Sequence, residues 1–400
     1  MEPLVTVIIP TFNRENTILR AVNSVLQQTY DNLEVIIVDD CSNDLTAEKV
    51  NGCKDPRIRL ISLPNNQGAN AARNRGIEKA RGTYIAFQDS DDEWAAHKLE
   101  KQIDYMIENN LEACFCPYLL QEEEKQRLMP DDYRNLERYR EHIIETLRHG
   151  NCVGTPTLMV KREVFSQIGM FDEKMKRLQD YELVIRLVKK FRLGYVEEPL
   201  VKAYREQQSI SSNHEALLEA QLYLLEKHLD FLDITSFLYH YFDDSDTLKN
   251  GEDREIKWEA FNRVLGIIRK KKDADLERYC YQTAMQYLYD QYDMMREALK
   301  NWYEFFKRHI RNREFAIYGA GVYGQKAYAH LMQEGYMPAC FLVTEKTEKR
   351  NIDGIPIIVL SEKVKQDIPI IIAVSWERQK ELTENLLNRN MYRFCVYPFC

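Results

Sequence analysis

No run of 18 consecutive apolar residues occurs anywhere in the 400-residue chain, which excludes a transmembrane helix, since a bilayer needs about 20. The first ten residues, MEPLVTVIIP, lack a basic region followed by a long apolar stretch and do not read as a signal peptide. Positive charge is not in excess: 55 Lys and Arg against 63 Asp and Glu leave a net charge of -8. That argues against nucleic acid as the main partner, because phosphate backbones select basic surfaces. The nine cysteines show no pairing logic; the tightest groups are Cys114 with Cys116 and Cys395 with Cys400. Reduced structural thiols and a cytoplasmic location are therefore expected. Internal repeats and low-complexity tracts are also missing.

What is present is ample apolar material, 44% of the residues, in a chain longer than one core usually supports, so two or three folding units are expected. Residues 1–118 alternate short β-rich runs with helical patterns, the texture of an α/β unit with a largely parallel sheet. Strands are predicted over 4–10, 33–39, 58–63, 83–88 and 113–117, with helices over 15–28, 69–81 and 95–108. The polar stretch 121–138, with Pro130, Asp131 and Asp132, reads as a loop or insert. A helix follows over 139–149, a strand over 156–161 and a strong helix over 180–191, where Leu183, Val184, Leu187 and Val188 recur at helical spacing. Residues 214–312 lose all strand alternation and read as a helical segment. From Phe315 the α/β texture returns. The expected divisions are 1–213, 214–312 and 313–400.

Three carboxylate clusters stand at predicted strand ends, where the loops of open α/β sheets converge on one crevice. Asp39 and Asp40 end the strand EVIIV; Asp89, Asp91 and Asp92 end TYIAFQ; Asp180 opens a helix. In Asp89-Ser90-Asp91, two carboxylates at a two-residue spacing can point into one crevice and hold Mg²⁺ or Mn²⁺, which take one or two carboxylates plus phosphate oxygens. The plainer alternative is a turn whose aspartates cap the next helix. Asp40 suits a nucleobase edge or ribose, or a cap ahead of residues 45–50. Arg73 suits base or phosphate, or is a solvated helical arginine. Asp180 suits a general base, or an N-cap.

Taken in order, Ile9-Pro10-Thr11-Phe12-Asn13, Val38-Asp39-Asp40-Cys41-Ser42, Asn66-Gln67-Gly68 through Ala72-Arg73-Asn74-Arg75-Gly76, Gln88-Asp89-Ser90-Asp91-Asp92 and Gln179-Asp180-Tyr181 closely resemble glycosyltransferase family 2. The resemblance covers residues 3–212. It implies an N-terminal GT-A fold, that of nucleotide-diphospho-sugar transferases, and a hexosyltransferase-type enzyme of surface-polysaccharide or related glycan synthesis. It places Pro10, Thr11, Asp40, Arg73 and Asp89 at the donor nucleotide, Asp91 and Asp89 at a divalent cation (Mn²⁺ or Mg²⁺), and Asp180 as catalytic base. The implied partners are a nucleotide-diphosphate sugar, with UDP the family's usual nucleotide, and a glycan or lipid-linked acceptor. A base opposite the leaving group is what direct displacement with inversion needs. Two departures stand out: Gln179 occupies a position where the family commonly has Glu, and Glu206-Gln207-Gln208-Ser209 follows Arg205 where the family often has His.

In the helical segment, Ile256, Phe261, Val264, Leu265 and Ile268 alternate with Lys257, Arg263, Arg269, Lys270, Lys271 and Lys272. This predicts a core-facing stripe with a basic edge, or else peripheral contact with an anionic membrane. A second copy of the chain is also an admissible partner. Gly319-Ala320-Gly321-Val322-Tyr323-Gly324 follows the strand FAIY and precedes a helix, the context of a dinucleotide fingerprint. An acidic residue should end the next strand, yet FLVT ends at Thr344 with Glu345 beside it. The unit resembles the small Rossmann-like domains attached to bacterial polysaccharide-biosynthesis enzymes, with Ile352-Asp353-Gly354-Ile355-Pro356 at their usual turn. Gly319, Gly321 and Gly324 thus mark a second nucleotide site or a docking module. A non-catalytic nucleotide-sugar-binding scaffold, or an NAD-binding enzyme centred on residues 319–324, are the competing functions.

Overall fold

The computed structural model describes residues 2–122, 125–204, 214–234, 263–270, 313–344, 347–360, 368–374 and 394–396, with single positions between them. The chain divides into two compact units, 1–250 and 251–400.

The first unit opens with β1 (Val5–Thr11), α1 (Ile18–Leu26), β2 (Leu33–Asp39), α2 (Thr46–Gly52), β3 (Ile58–Ser62), α3 (Ala69–Lys79) and β4 (Tyr84–Phe87). It continues through β5 (Glu93–Trp94), α4 (Lys98–Glu108), β6 (Ala113–Phe115), β7 (Tyr118–Glu122) and β8 (Lys125–Met129). It ends with α5 (Ile143–His149), β9 (Met159–Lys161), α6 (Val164–Ile168), α7 (Gln179–Val188), β10 (Leu193–Tyr195), β11 (Val201–Tyr204) and α8 (His214–His228). Every residue of β1 and β2 is buried, which is why they read as unbroken Val/Ile runs rather than alternation: a central parallel strand is covered on both faces. Helix α1 turns Ile18, Ala21, Val22 and Val25 inward.

The main sheet has the order β10-β6-β9-β4-β1-β2-β3. Strands β4, β1, β2 and β3 are parallel, whereas β9 runs antiparallel to both its neighbours. Going from β1, the chain first winds toward β2 and β3 and then returns to β4 on the other side. The switch point therefore lies between β1 and β4, and the crevice at their C-terminal ends is the expected ligand site. A second sheet, β5-β11-β7-β8, carries Glu93 and Trp94 next to that crevice. Helix α3 lies close on β1: a Cβ on Gly76 would sit 2.4 Å from Ile8.

The stretch 121–138 is not a loop. Its first part is the hairpin β7–β8, registered from Tyr118 opposite Met129 to Glu122 opposite Lys125, followed by a π-helical turn at Glu137–Glu141 with Tyr139 buried. Residues 125–127 are exposed, so no apolar face produced the period-2 signal that reveals a strand. Residues 156–161 divide into a 3-10 turn at Thr155–Thr157 and the short β9, because Pro156 suits a first helical turn. Helix α6 and strands β10 and β11 went unpredicted.

The second unit contains β12 (Ala316–Tyr318), α9 (Val322–Gln333), β13 (Cys340–Val343), β14 (Asn351–Ile352), β15 (Ile355–Val359), β16 (Ile370–Ile372) and β17 (Phe394–Val396). The sheet order is β14-β15-β13-β12-β16-β17, parallel except for the β14–β15 hairpin. Asp353 and Gly354 turn that hairpin at φ 48° and 86°, as a two-residue type I′ turn demands. Within residues 263–270, Val264, Leu265 and Ile268 are buried while Arg263, Arg269 and Lys270 are exposed: the apolar stripe faces protein. Lys257, Trp258, Lys271, Lys272 and most of 214–312 lie outside the described residues, as do Glu345 and residues 205–209. Among the described residues no helix is long and apolar enough to cross a membrane.

Candidate active site

The ends of β1, β2 and β4 meet at the switch point. Asp40 donates its backbone N–H to the Thr11 carbonyl (2.8 Å), and Leu63 donates to Asp39 (2.8 Å). The loops beyond β1 and β2 are laced together: Asn13 N–H donates to Ser42 Oγ (2.9 Å), and Asn43 N–H to Asn13 Oδ1 (2.9 Å). Thr11 is buried and its hydroxyl has no hydrogen-bond partner. Pro10 lies beside it within β1.

Asp40 is 2% exposed. Its two carboxylate oxygens accept the backbone N–H groups of Gln67 (2.8 Å) and Gly68 (2.7 Å). The carboxylate therefore closes the N-terminus of α3, where orphan N–H groups and the helix dipole favour an anion. It does not cap the helix after residue 45; Asp44 does that, accepting the Thr46 N–H at 3.0 Å. Cys41, the next residue, sits in the left-handed region at φ 67°.

Helix α3 carries Arg73 into the crevice, 4% exposed. One guanidinium nitrogen donates to Asp89 Oδ1 (2.8 Å), while Nε is buried without a partner. On the same helix, Asn70 donates to the Asp172 and Met175 carbonyls (2.9 and 2.7 Å), and Asn74 to Phe171 (2.9 Å). These bonds hold the 171–175 loop over the helix.

After β4, three aspartates converge in two different environments. The side chains of Asp89 and Asp91 are 30% and 24% exposed, but Asp92 is buried. Burial first, then the charges of Asp89 and Asp91, raise the Asp92 carboxyl well above its ordinary value; the Tyr204 N–H (3.0 Å) and Arg20 act the other way. Arginines that sequence reading passed over surround the cluster. Arg14 approaches Asp91 at 3.6 Å, and Arg20 donates to the Asp91 carbonyl and stacks on the Tyr204 ring at 3.8 Å. Gln88, fully buried, donates to the Asp92 carbonyl (3.0 Å) and leaves its own carbonyl oxygen unpartnered.

Asp180 is the second residue of α7, and not its N-cap: that is Leu178, whose φ of 57° is unusual for a bulky side chain. Its carboxylate accepts Asn151 Nδ2 (3.1 Å), the Thr155 N–H (3.3 Å) and its neighbour's N–H at Tyr181 (2.8 Å). Burial raises the Asp180 carboxyl above its ordinary value. The Tyr181 N–H and Arg73 pull against that rise, and Asp89 adds to it. Asp180 therefore shares one electrostatic environment with Arg73 and Asp89 although the three are far apart in sequence. Asn151 and Thr155 carry no local motif; only the fold brings them to Asp180.

Asp89 and Asp91 are the residues that could hold a divalent cation. Both are partly exposed at the crevice, with side chains 30% and 24% accessible. Among the described residues, no group of three or more ligating His, Cys, Asp or Glu side chains is preassembled. Phosphate oxygens would have to complete the shell, as they do for hard cations held by one or two carboxylates.

In the second unit the glycine loop links β12 to α9. A Cβ on Gly319 would lie 2.4 Å from the Ala373 carbonyl, and one on Gly324 only 1.7 Å from the Gly319 carbonyl; at Gly321 nothing lies within 4 Å. Gly319 and Gly324 are thus dictated by packing, and only Gly321 faces open space.

The model of glycosyl transferase family 2 matches residues 6–169. A putative teichuronic acid biosynthesis glycosyltransferase, TuaG of Bacillus subtilis, is 37% identical over 220 residues, 53% of this chain and 83% of that protein. The UDP-Glc:alpha-D-GlcNAc-diphosphoundecaprenol beta-1,3-glucosyltransferase WfgD of Escherichia coli is 45% identical over 115 residues, 29% of this chain and 46% of that protein. The crystal structure of S. aureus TarS 1–349 in complex with UDP-GlcNAc superposes with a TM-score of 0.57 at 19% identity, covering 78% of this chain and 93% of that one. That likeness carries the GT-A fold of the first unit.

Proposed function

Because the chain belongs to glycosyl transferase family 2, and is thus a glycosyltransferase with relatives in polysaccharide biosynthesis, we propose that it transfers a sugar from a UDP-sugar to a hydroxyl acceptor with inversion, Asp180 serving as base. The observation that carries this reading is the Arg73–Asp89 pair at the crevice where the sheet switches direction, whose charges act on the Asp180 carboxyl. WfgD is named for a UDP-glucose donor and a diphosphoundecaprenol acceptor, which supports a UDP-sugar and a lipid-linked or glycan acceptor. TarS binds UDP-GlcNAc on the same fold.

The donor diphosphate would lie over the ends of β1 and β4, within reach of the Thr11 hydroxyl and Arg73 Nε, both buried and unpartnered. A Mn²⁺ or Mg²⁺ ion, held by Asp91 and Asp89, would supply neutralisation of charge on the departing diphosphate. Asp180 takes the proton of the acceptor hydroxyl as its oxygen attacks the anomeric carbon. The bond to the diphosphate oxygen breaks on the opposite face, so a single displacement inverts the configuration. The raised Asp180 carboxyl makes a stronger base than an ordinary aspartate. Intact Asp91 and Asp180 disfavour a non-catalytic scaffold.

The test is transfer from UDP-sugars monitored by NMR at the anomeric centre. An inverted product from wild type, and loss of transfer in Asp180→Asn with UDP binding kept, is the expected result. A retained anomeric configuration refutes the mechanism.

A further inference from the structure

The start of α7 is held from an unexpected direction. Glu182, two residues after Asp180 in α7, is completely buried. Its carboxylate accepts Arg186 from its own helix (2.8 Å at Nε), and Lys227 Nζ (2.8 Å) and His228 Nε2 (3.1 Å) from the last turn of α8. Burial alone would raise this carboxyl, but the bonds from His228, Arg186 and Lys227 outweigh it and hold it far below its ordinary value. Lys227 does not stop there. The same ammonium donates to Asp172 (2.6 Å), which also accepts the Tyr223 hydroxyl (2.9 Å).

Asp172 belongs to the loop that α3 holds down. Its carbonyl accepts Asn70 Nδ2 (2.9 Å), the Asn70 side-chain oxygen accepts Arg73 (3.4 Å), and Arg73 donates to Asp89. One lysine thus joins two arms. One arm runs through Glu182 into the helix that carries Asp180, and the other through Asp172 and Asn70 to the Arg73–Asp89 pair. The side chain is 32% exposed, and an exposed lysine in a simple surface pair contributes little. This lysine bridges a fully buried carboxylate and a site loop, so its loss removes the direct tie between two elements.

We propose that Lys227 is a positioning residue that fixes Asp180 relative to the donor-side Arg73–Asp89 pair. The proposal rests on the reading of Asp180 as the base. Lys227 bonds to Asp172 and Glu182 rather than to Asp89, Asp91 or Asp180, so its role is geometric. A displacement of about 1 Å at a reacting group costs on the order of 10²-fold in rate. Donor binding should survive, because Arg73 keeps its bonds to Asn70 and Asp89.

The experiment uses the full chain with Lys227→Met, Lys227→Arg, Asp172→Asn and Asp180→Asn, measuring kcat, KM for the UDP-sugar and the Kd of UDP. The expected result for Lys227→Met is a kcat about 10- to 100-fold lower with KM and Kd essentially unchanged. Lys227→Arg, which keeps the positive charge and offers several donors, should restore most of kcat. Asp172→Asn leaves Glu182 fully paired and should lower kcat in the same direction; it decides the matter if Lys227→Met does not fold. Full turnover in folded Lys227→Met or, failing that, in Asp172→Asn, while Asp180→Asn is inactive, overturns the positioning role alone. Parallel losses of kcat and UDP affinity also overturn it. Wild-type turnover in Asp180→Asn overturns the base assignment and the proposal with it.

Discussion

Asp40 offers the sharpest separation of scaffold from ligand contact. Its two carboxylate oxygens are both engaged, by the Gln67 and Gly68 N–H groups at 2.8 and 2.7 Å, and the side chain is 2% exposed. Replacing it by Ala removes two charge-assisted bonds, each contributing about 1.5–3 kcal/mol, and leaves two backbone donors without an acceptor. Loss of an anion at the α3 N-terminus adds about 0.3–1 kcal/mol. The total is about 3–7 kcal/mol, which for a unit of this size lowers Tm by on the order of 10–20 °C. Asp40→Asn keeps one acceptor oxygen and should lose roughly half as much. The assay is the melting transition of the first unit, followed without nucleotide. If the Asp40→Ala protein melts within about 2 °C of wild type yet no longer binds nucleotide, Asp40 is a ligand contact only, and its placement beneath α3 has been misjudged.

Other consequences concern Asp180, Lys98, Glu182 and Gly324. Asp180 must be ionised to act as base, and its carboxyl is raised; the acidic limb of the kcat–pH profile should therefore lie above the ordinary aspartate value of 3.8. An acidic limb at or below that value contradicts the assignment. Burial lowers the Lys98 ammonium from 10.5 to about 8, so the folded state loses its proton before the unfolded chain does, and stability should rise with pH between those values. Below pH 8 the burial penalty of about 3 kcal/mol is fully present; urea unfolding should find Lys98→Met more stable at pH 7 and without that slope. Glu182 carries the opposite sign. Its depressed carboxyl contributes stability above about pH 4.5 that is lost progressively as pH falls, and Glu182→Gln should blunt the acid sensitivity of the first unit's melting. In the second unit, Gly324→Ala puts a Cβ 1.7 Å from the Gly319 carbonyl; its far-UV melting should drop whether or not any nucleotide is added, and an unchanged melt refutes the packing role.

Strands β1 and β2 were legible because buried parallel strands write themselves as Val/Ile runs, and α1 because four apolar residues share one face. The hairpin β7–β8 was not, since exposed polar residues on β8 leave no alternation to see. For the site, Asp40, Asp89, Asp91 and Asp180 were visible as carboxylates at strand and helix ends. What they touch was not. The partners of Asp40 are backbone N–H groups 27 and 28 residues away, and all those of Asp180 but the adjacent Tyr181 N–H come from the turn at 151–155. Arg20 looks like any polar residue of an amphipathic helix until the fold sets Asp91 and Tyr204 against it. Lys227 sits beyond the residues 3–212 that carry the family resemblance, where no motif could mark it. Local pattern reports which face of an element is buried; long-range hydrogen bonds leave no trace in it.

The proposed donor site would bind a nucleoside diphosphate together with a divalent cation at Asp91 and Asp89. Its most direct test is thermal stabilisation by UDP, with and without Mn²⁺, of wild type and Asp91→Ala. At a hundred times its dissociation constant a ligand adds about 2.7 kcal/mol, so wild type should shift clearly with UDP and Mn²⁺ together, and Asp91→Ala should not. Equal stabilisation of both proteins, or none of wild type in any condition, would contradict it.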